Sequence, residues 1–281
     1  MNGIKIDGIK IAQKIKTQVR KKINLLKSEG IKPCLATILI GTNSASLTYI
    51  KKKHEACKEV GIATIDHKLP NTISQNDVNE LINSLNKNNK VHGILVQLPL
   101  PKTLNRFETI SHISPKKDVD GLTPYNLGML TIGKKILTTC TPLGILEILD
   151  YYDIPIRGKN IVVINRTELI GKPLYSLLLS RDATVISCHS FTRNLKELCK
   201  IGDIIITAVG NRKKFVLTED MVKDNAVVID VAISKNHGKL VGDADFTQII
   251  KKASYVSPVP GGVGPITVAM LLKNTIIAAT L

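Results

Sequence analysis

Apolar runs alternating with amphipathic stretches over 281 residues predict an α/β protein built on parallel sheet, and two observations carry that expectation. The run Cys34-Leu-Ala-Thr-Ile-Leu-Ile40 has the length and β-branched content of a buried strand, and a turn at Gly41 to Ser44 leads from it into a helix ending near Gly61. Strands and helices then alternate through the second half: Ile161 to Ile164 with a helix up to about Leu179, Thr184 to Ser187 with Leu195 to Cys199, then Asp203 to Val209, Val227 to Val231, and Tyr255 to Val256. Such alternation implies right-handed crossovers between parallel strands. The length allows two domains or one large one with an ample core, and there is no internal repeat or low-complexity segment.

Between these landmarks the elements follow in order. Asp7 caps a helix whose apolar positions Ile11, Ile15, Val19, Ile23 and Leu26 recur at spacings of three and four, with a stop at Gly30 and Pro33. A strand is expected at Ile62 to Leu69. Ser74 caps the next helix, which carries Val78, Leu81, Ile82 and Leu85, with Asp77 at the third position. Val91 to Gln97 reads as a strand ended by Leu98-Pro-Leu-Pro101, and Thr141 as the cap of a helix that starts at Pro142. Gly261-Gly-Val-Gly264, flanked by prolines, is a rigid turn before an apolar helix from about Thr267.

Composition narrows the function classes. Hydrophobic content of 43% and charged content of 22% are ordinary for a soluble globular chain. The formal charge of +16 comes from 39 Lys and Arg against 23 Asp and Glu, dispersed and without interleaved aromatics, so it suits an anionic ligand better than nucleic acid. The five cysteines form no C-x-x-C pair, which points away from zinc and disulfides and toward a reducing cytoplasm. The first residues lack the continuous apolar core of a signal peptide, and no run approaches the roughly 20 residues that span a bilayer.

Chemistry-bearing residues cluster at a few points. Tyr49 and Lys53 stand four apart on one helix, so phenol and ammonium share a face, although Lys51-Lys-Lys53 also reads as a solvated run. Gln97 lies at the carboxyl end of a strand, where open α/β sheets place their ligand crevice. Ser114-Pro-Lys-Lys-Asp-Val-Asp-Gly121 is a polar loop too poor in oxygen ligands for calcium. Ile161 to Pro173 has strand, turn and helix in the order of a dinucleotide site but lacks G-x-G-x-x-G. Asn165 tolerates left-handed angles at that turn, and Arg166 suits a phosphate on the adenine ribose.

In combination, Ala45-Ser46 with Tyr49 and Lys53, Gly93-Ile-Leu-Val-Gln-Leu-Pro-Leu-Pro101, Lys117-Asp-Val-Asp-Gly121, Cys140-Thr-Pro, Asn165-Arg-Thr with Gly171 and Pro173, Cys188-His-Ser190, Gly242-Asp, and Pro258-Val-Pro-Gly-Gly-Val-Gly-Pro265 resemble the bifunctional methylenetetrahydrofolate dehydrogenase/cyclohydrolase family across nearly the whole chain. The resemblance implies an amino-terminal α/β folate-site domain, residues 1–138 joined by the final helix 266–281, and a Rossmann-like NADP domain, residues 139–265, with a cleft between them. It implies a cytoplasmic homodimer acting on folate in one-carbon metabolism, with NADP as cofactor and no metal, nucleic acid or membrane partner. Lys53 then matches the catalytic amine, with Tyr49 and Gln97 beside it, and Asp120 the pterin anchor. Asn165, Arg166, Thr167, Ser190, Ile233 and Thr141 match the NADP side, and Pro260, Gly261 and Gly262 border both ligands.

The resemblance also has departures. Asn165-Arg-Thr167 stands where the family has Gly-Arg-Ser, Thr139 where it has proline, Ala232 where it has glycine, and the Asn211 to Lys214 loop looks slightly longer. Loss of the glycine nearest the cofactor is expected to weaken NADP binding. Two other readings compete. Tyr-x-x-x-Lys also marks short-chain dehydrogenases, in which the glycine-rich turn precedes the pair, the reverse of the order here. A nucleic-acid binder rests on the charge alone.

Overall fold

The computed structural model describes residues 2–236 and 238–281, without the side chain of Ala45. The chain divides into two compact units: Gln13–Cys140 with Val268–Leu281, and the segment through Ala12 with Thr141–Thr267. The sequence places the first residues with the amino-terminal half. They contribute instead to the other unit, because strand β1 (Ile4–Lys5) pairs in parallel with Tyr255–Val256. Two exposed residues carry no strand signal of their own, and only their partner makes them a strand.

The first unit is a three-stranded parallel sheet with helices. Helix α1 (Gly8–Ser28) is followed by β2 (Cys34–Ile40), α2 (Ser44–Val60), β3 (Ala63–Leu69), α3 (Gln75–Lys87), β4 (Gly93–Val96), α4 (Arg106–Ser111) and α5 (Pro124–Thr131). The order is β3-β2-β4, so the chain leaves β2 to one neighbour and returns to the other, reversing at β2. All seven β2 residues are buried, as its unbroken apolar run requires of a central parallel strand. Asn43 caps α2 by accepting the Ser46 amide at 3.1 Å, and Gly61, at φ 89°, closes it in the left-handed conformation.

The second unit carries α6 (Cys140–Tyr151), β5 (Asn160–Ile164), α7 (Gly171–Leu179), β6 (Thr184–Cys188), α8 (Leu195–Lys200), β7 (Ile204–Thr207), β8 (Val227–Asp230), a hairpin of β9 (Ser234–Asn236) and β10 (Lys239–Val241), α9 (Phe246–Ile249) and β11 (Tyr255–Val256), before α10 (Val263–Ala278). Its six strands run β1-β11-β8-β7-β5-β6, all parallel, with the reversal at β5. Val162, Ile164, Ile205 and Val228 from the central strands share one core with Leu217, Val222 and Ile249. Thr141 is not a cap: α6 begins one residue earlier, at Cys140. Likewise α10 starts at Val263 rather than Thr267, since the glycines at 262 and 264 do not prevent the helix from beginning there.

Two buried aspartates fasten the carboxyl ends of β7 and β8. Asp243 accepts the Thr207 hydroxyl and the Val209 amide at 2.7 Å each and the Gly210 amide at 3.1 Å. Asp230 accepts the amides of Ala244 at 2.7 Å and Ala232 at 3.1 Å, and a Cβ at Gly242 would lie 1.9 Å from its Oδ2. Burial pushes the Asp230 carboxyl up from 3.8 to about 6, against the lowering effect of those amides. A carboxyl raised in the native state binds more protons there than when unfolded, so its contribution is fully present below 3.8 and lost as pH rises through about 6. Urea unfolding across that window is expected to show wild type losing up to about 3 kcal/mol relative to Asp230→Asn. Parallel pH profiles for the two proteins would contradict the assignment.

Candidate active site

Helix α2 buries one stripe, and the residues on it are Ser46, Ile50, Lys53, Ala56, Cys57 and Val60. Lys53, 7% exposed, therefore occupies a position that helical periodicity reserves for an apolar side chain, while Lys51 and Lys52 face solvent. The run of three lysines is a solvated face in two of its members only. Lys53 Nζ donates to Gln97 Oε1 at 3.1 Å and lies 5.6 Å from the centre of the Tyr49 ring.

Gln97 is fixed from both sides. Its own amide donates to Ile38 O at 2.9 Å at the end of β2, and its Nε2 donates to Leu98 O at 2.8 Å, which leaves Oε1 turned to the lysine. The Leu98-Pro99 peptide is cis, and the Ser46 hydroxyl reaches the same Leu98 carbonyl at 3.4 Å. The pair thus stands at the carboxyl ends of β2 and β4, where the strand order reverses and open α/β sheets present a crevice.

Asp120 joins this group electrostatically. Burial first, and the Asp120 carboxylate second, raise the Tyr49 phenol above its ordinary value, so it stays a hydrogen-bond donor at neutral pH. Burial raises the Cys140 thiol well above its usual range, with Asp120 adding to the effect and Lys53 opposing it. The two aspartates of Lys117-Asp-Val-Asp-Gly121 have separate tasks. Asp118, 1% exposed, accepts the Thr123 amide at 2.7 Å and the Asn126 side chain at 2.9 Å, which secures the loop. Asp120 is half-buried beside the phenol and the thiol.

In the six-stranded unit, Asn165, Arg166 and Thr167 follow β5 at its own reversal point. Asn165 is not in the left-handed region expected for it. It works through its side chain: Oδ1 accepts the Thr167 amide at 2.9 Å, the Thr167 hydroxyl at 2.8 Å and the Gly171 amide at 3.0 Å, while Nδ2 donates to Ala208 O at 2.7 Å. Tyr175 donates to the Asn165 carbonyl. A Cβ on Gly171 would come 2.3 Å from Asn165 O, so the start of α7 packs against the turn with no room for a side chain. That is the close helix-to-turn packing a dinucleotide site requires. Arg166 and Thr167 are exposed, as is Ser190 after β6, and the Arg166 guanidinium lies 5.5 Å from the Phe191 ring centre. An exposed cation, hydroxyls and a helix start at the sheet's carboxyl edge fit an anionic dinucleotide.

Ile233, half exposed, follows β8 at the same edge. The Val259-Pro260 peptide is cis, Gly261 has φ 101°, and a Cβ on Gly262 would meet Pro258 O at 2.5 Å. The Gly261 carbonyl accepts the Gly8 amide at 3.0 Å, which seats the turn against the start of α1. The Thr141 hydroxyl meets the Thr267 hydroxyl, on α10, at 3.3 Å. Sequence reasoning assigned no role to Asp118, Asp230, Phe191 or Asn274. Only the two aspartates had a signal there, as members of Lys117-Asp-Val-Asp-Gly121 and of a strand end.

Residues 139–281 match the model described as tetrahydrofolate dehydrogenase/cyclohydrolase, NAD(P)-binding domain, and residues 6–120 that of the catalytic domain. The chain is 62% identical over 281 residues to a bifunctional protein FolD of Nitrosopumilus maritimus, covering 100% of this chain and 98% of the relative. The solved bifunctional FolD of Campylobacter jejuni superposes with a TM-score of 0.96 at 44% identity, covering 99% and 98% of the two chains. The Trypanosoma brucei methylenetetrahydrofolate dehydrogenase-cyclohydrolase, solved with NADP cofactor and inhibitor, gives 0.94 at 34% identity, covering 100% and 98%. A two-domain α/β fold, an ordered set of motifs and full-length similarity therefore converge, and the chain belongs to the tetrahydrofolate dehydrogenase/cyclohydrolase family of enzymes.

Proposed function

We propose that the chain oxidises 5,10-methylenetetrahydrofolate with NADP and hydrolyses the methenyl product to 10-formyltetrahydrofolate, with Lys53 as the amine that moves protons in the second step. The observation that carries this reading is the burial of Lys53 on the apolar stripe of α2 with its nitrogen held by Gln97. NADP supplies the acceptor for the hydride. Hydride loss from a carbon bridging two nitrogens leaves an amidinium-like cation on the folate. Water then adds to that carbon and sheds one proton; as the tetrahedral adduct collapses to the formyl group, the departing ring nitrogen gains a proton and the hydroxyl proton leaves to solvent. An amine beside the carbon serves both transfers, taking the proton from the water and returning it to the nitrogen. Gln97 orients the amine, and the protonated Tyr49 phenol is a donor next to it. Asp120 suits the pterin because a carboxylate accepts paired hydrogen bonds from an amine and a ring nitrogen.

Arg166, Thr167 and Ser190 would hold the adenine-ribose phosphate. The end of β6 reads Cys188-His-Ser190, without the carboxylate that an NAD site offers to the ribose hydroxyls, which favours NADP. The Asn165 side chain is engaged by Thr167, Gly171 and Ala208, which supports this reading.

We also propose a homodimer that acts in the cytoplasm. Among the described residues no helix is long and apolar enough to cross a membrane. Strand β3 is an edge strand on which Ile65 is 37% exposed, and its Thr64, Asp66 and Lys68 line a cavity of about 680 Å³ together with Leu39, Leu47 and Ile50. An unpaired edge of this kind is a template for a second strand, and a two-fold partner supplies an identical one.

Lys53→Ala is expected to lower methenyl hydrolysis by roughly 10²- to 10⁴-fold with NADP binding unchanged. Hydrolysis at the wild-type rate would remove Lys53 from the mechanism. Ile65→Lys is expected to shift sedimentation from dimer to monomer, and an unchanged dimer would place the interface elsewhere.

A further inference from the structure

Helix α10 is almost wholly apolar where it is buried, and Asn274 interrupts it at 1% exposure. Its neighbour Thr275 returns its hydroxyl to Leu271 O within the helix, at 2.8 Å. Asn274 bonds outward. Nδ2 donates to Val119 O and to Thr138 O, both at 2.8 Å, and lies 3.6 Å from Cys140 Sγ. The Cys140 thiol donates to the same Val119 carbonyl at 3.4 Å.

The Val119 carbonyl belongs to the peptide group that carries the Asp120 amide, so whatever fixes this oxygen fixes the plane from which Asp120 projects. The second carbonyl lies in the segment packed against the same loop. Gly121, at φ 66°, passes so close that a Cβ would lie 2.4 Å from the Thr138 carbonyl carbon. One amide therefore fastens the two backbone segments at their crossing, and its removal would take this donor from the buried Thr138 carbonyl and leave the Val119 carbonyl with the weaker Cys140 thiol.

We infer that Asn274 is a positioning residue for Asp120, holding the carboxylate at the angle that receives the pterin. This rests on the assignment of Asp120 as the pterin anchor. The test is a double-mutant cycle of Asn274→Leu and Asp120→Ala, reading the KM for methylenetetrahydrofolate, kcat and the Kd for NADP. Asn274→Leu is expected to raise the folate KM by about tenfold, the equivalent of roughly 1.4 kcal/mol, with NADP affinity unchanged. In the Asp120→Ala background the same change is expected to add less than about twofold, because the group it positions is gone. Equal effects in both backgrounds, or an unchanged KM in Asn274→Leu when Asp120→Ala raises it, would overturn the inference alone. An unchanged KM in Asp120→Ala would overturn the anchor assignment and the inference with it. If Asn274→Leu does not fold, Asn274→Ser, which keeps one donor, carries the same cycle.

Discussion

The structure around Lys53 and Gln97 depends on a single constraint: a lysine placed where helix α2 should be apolar. Burying a lysine side chain is unfavourable unless its polar end is met by hydrogen-bond partners. Here one donor is met by Gln97 Oε1 at 3.1 Å, and the face of the Tyr49 ring lies nearby. The other end of Gln97 is tied to Leu98 O, which leaves Oε1 for the lysine.

Both units use the same topological device. A parallel sheet that reverses its strand order opens a crevice at the carboxyl ends of the two strands that diverge. In the three-stranded sheet the reversal is at β2, and α2 with Lys53 follows that strand while Gln97 ends β4. In the six-stranded sheet it is at β5, followed by Asn165, Arg166 and Thr167. Different chemistry is grafted on one geometry: a buried amine in the first, exposed cation and hydroxyls in the second.

What the sequence made legible follows from how local each signal is. Helix α2, with the turn at Gly41 to Ser44 before it and its Gly61 stop, and strand β2, with its unbroken apolar run, were readable because the signals lie within a few residues. Strand β1 was not, since two exposed residues become a strand only by meeting β11. Asn165 was recognised as the turn residue for the wrong reason: backbone tolerance was expected, whereas the side chain makes the turn. Periodicity could separate Lys53 from Lys51 and Lys52 only once the register of the buried stripe was known. Asn274 lay beyond reach because its partners, Val119 and Thr138, are more than 130 residues away in sequence.

The central claim is that Lys53 and Gln97 act as one unit. A cycle of Lys53→Met, Gln97→Leu and the double variant, read by the rate of methenyl hydrolysis, tests it most directly. The double variant is expected to be no slower than Lys53→Met, since Gln97 has nothing left to orient. Losses that multiply would show that the two side chains act independently, and would contradict the account.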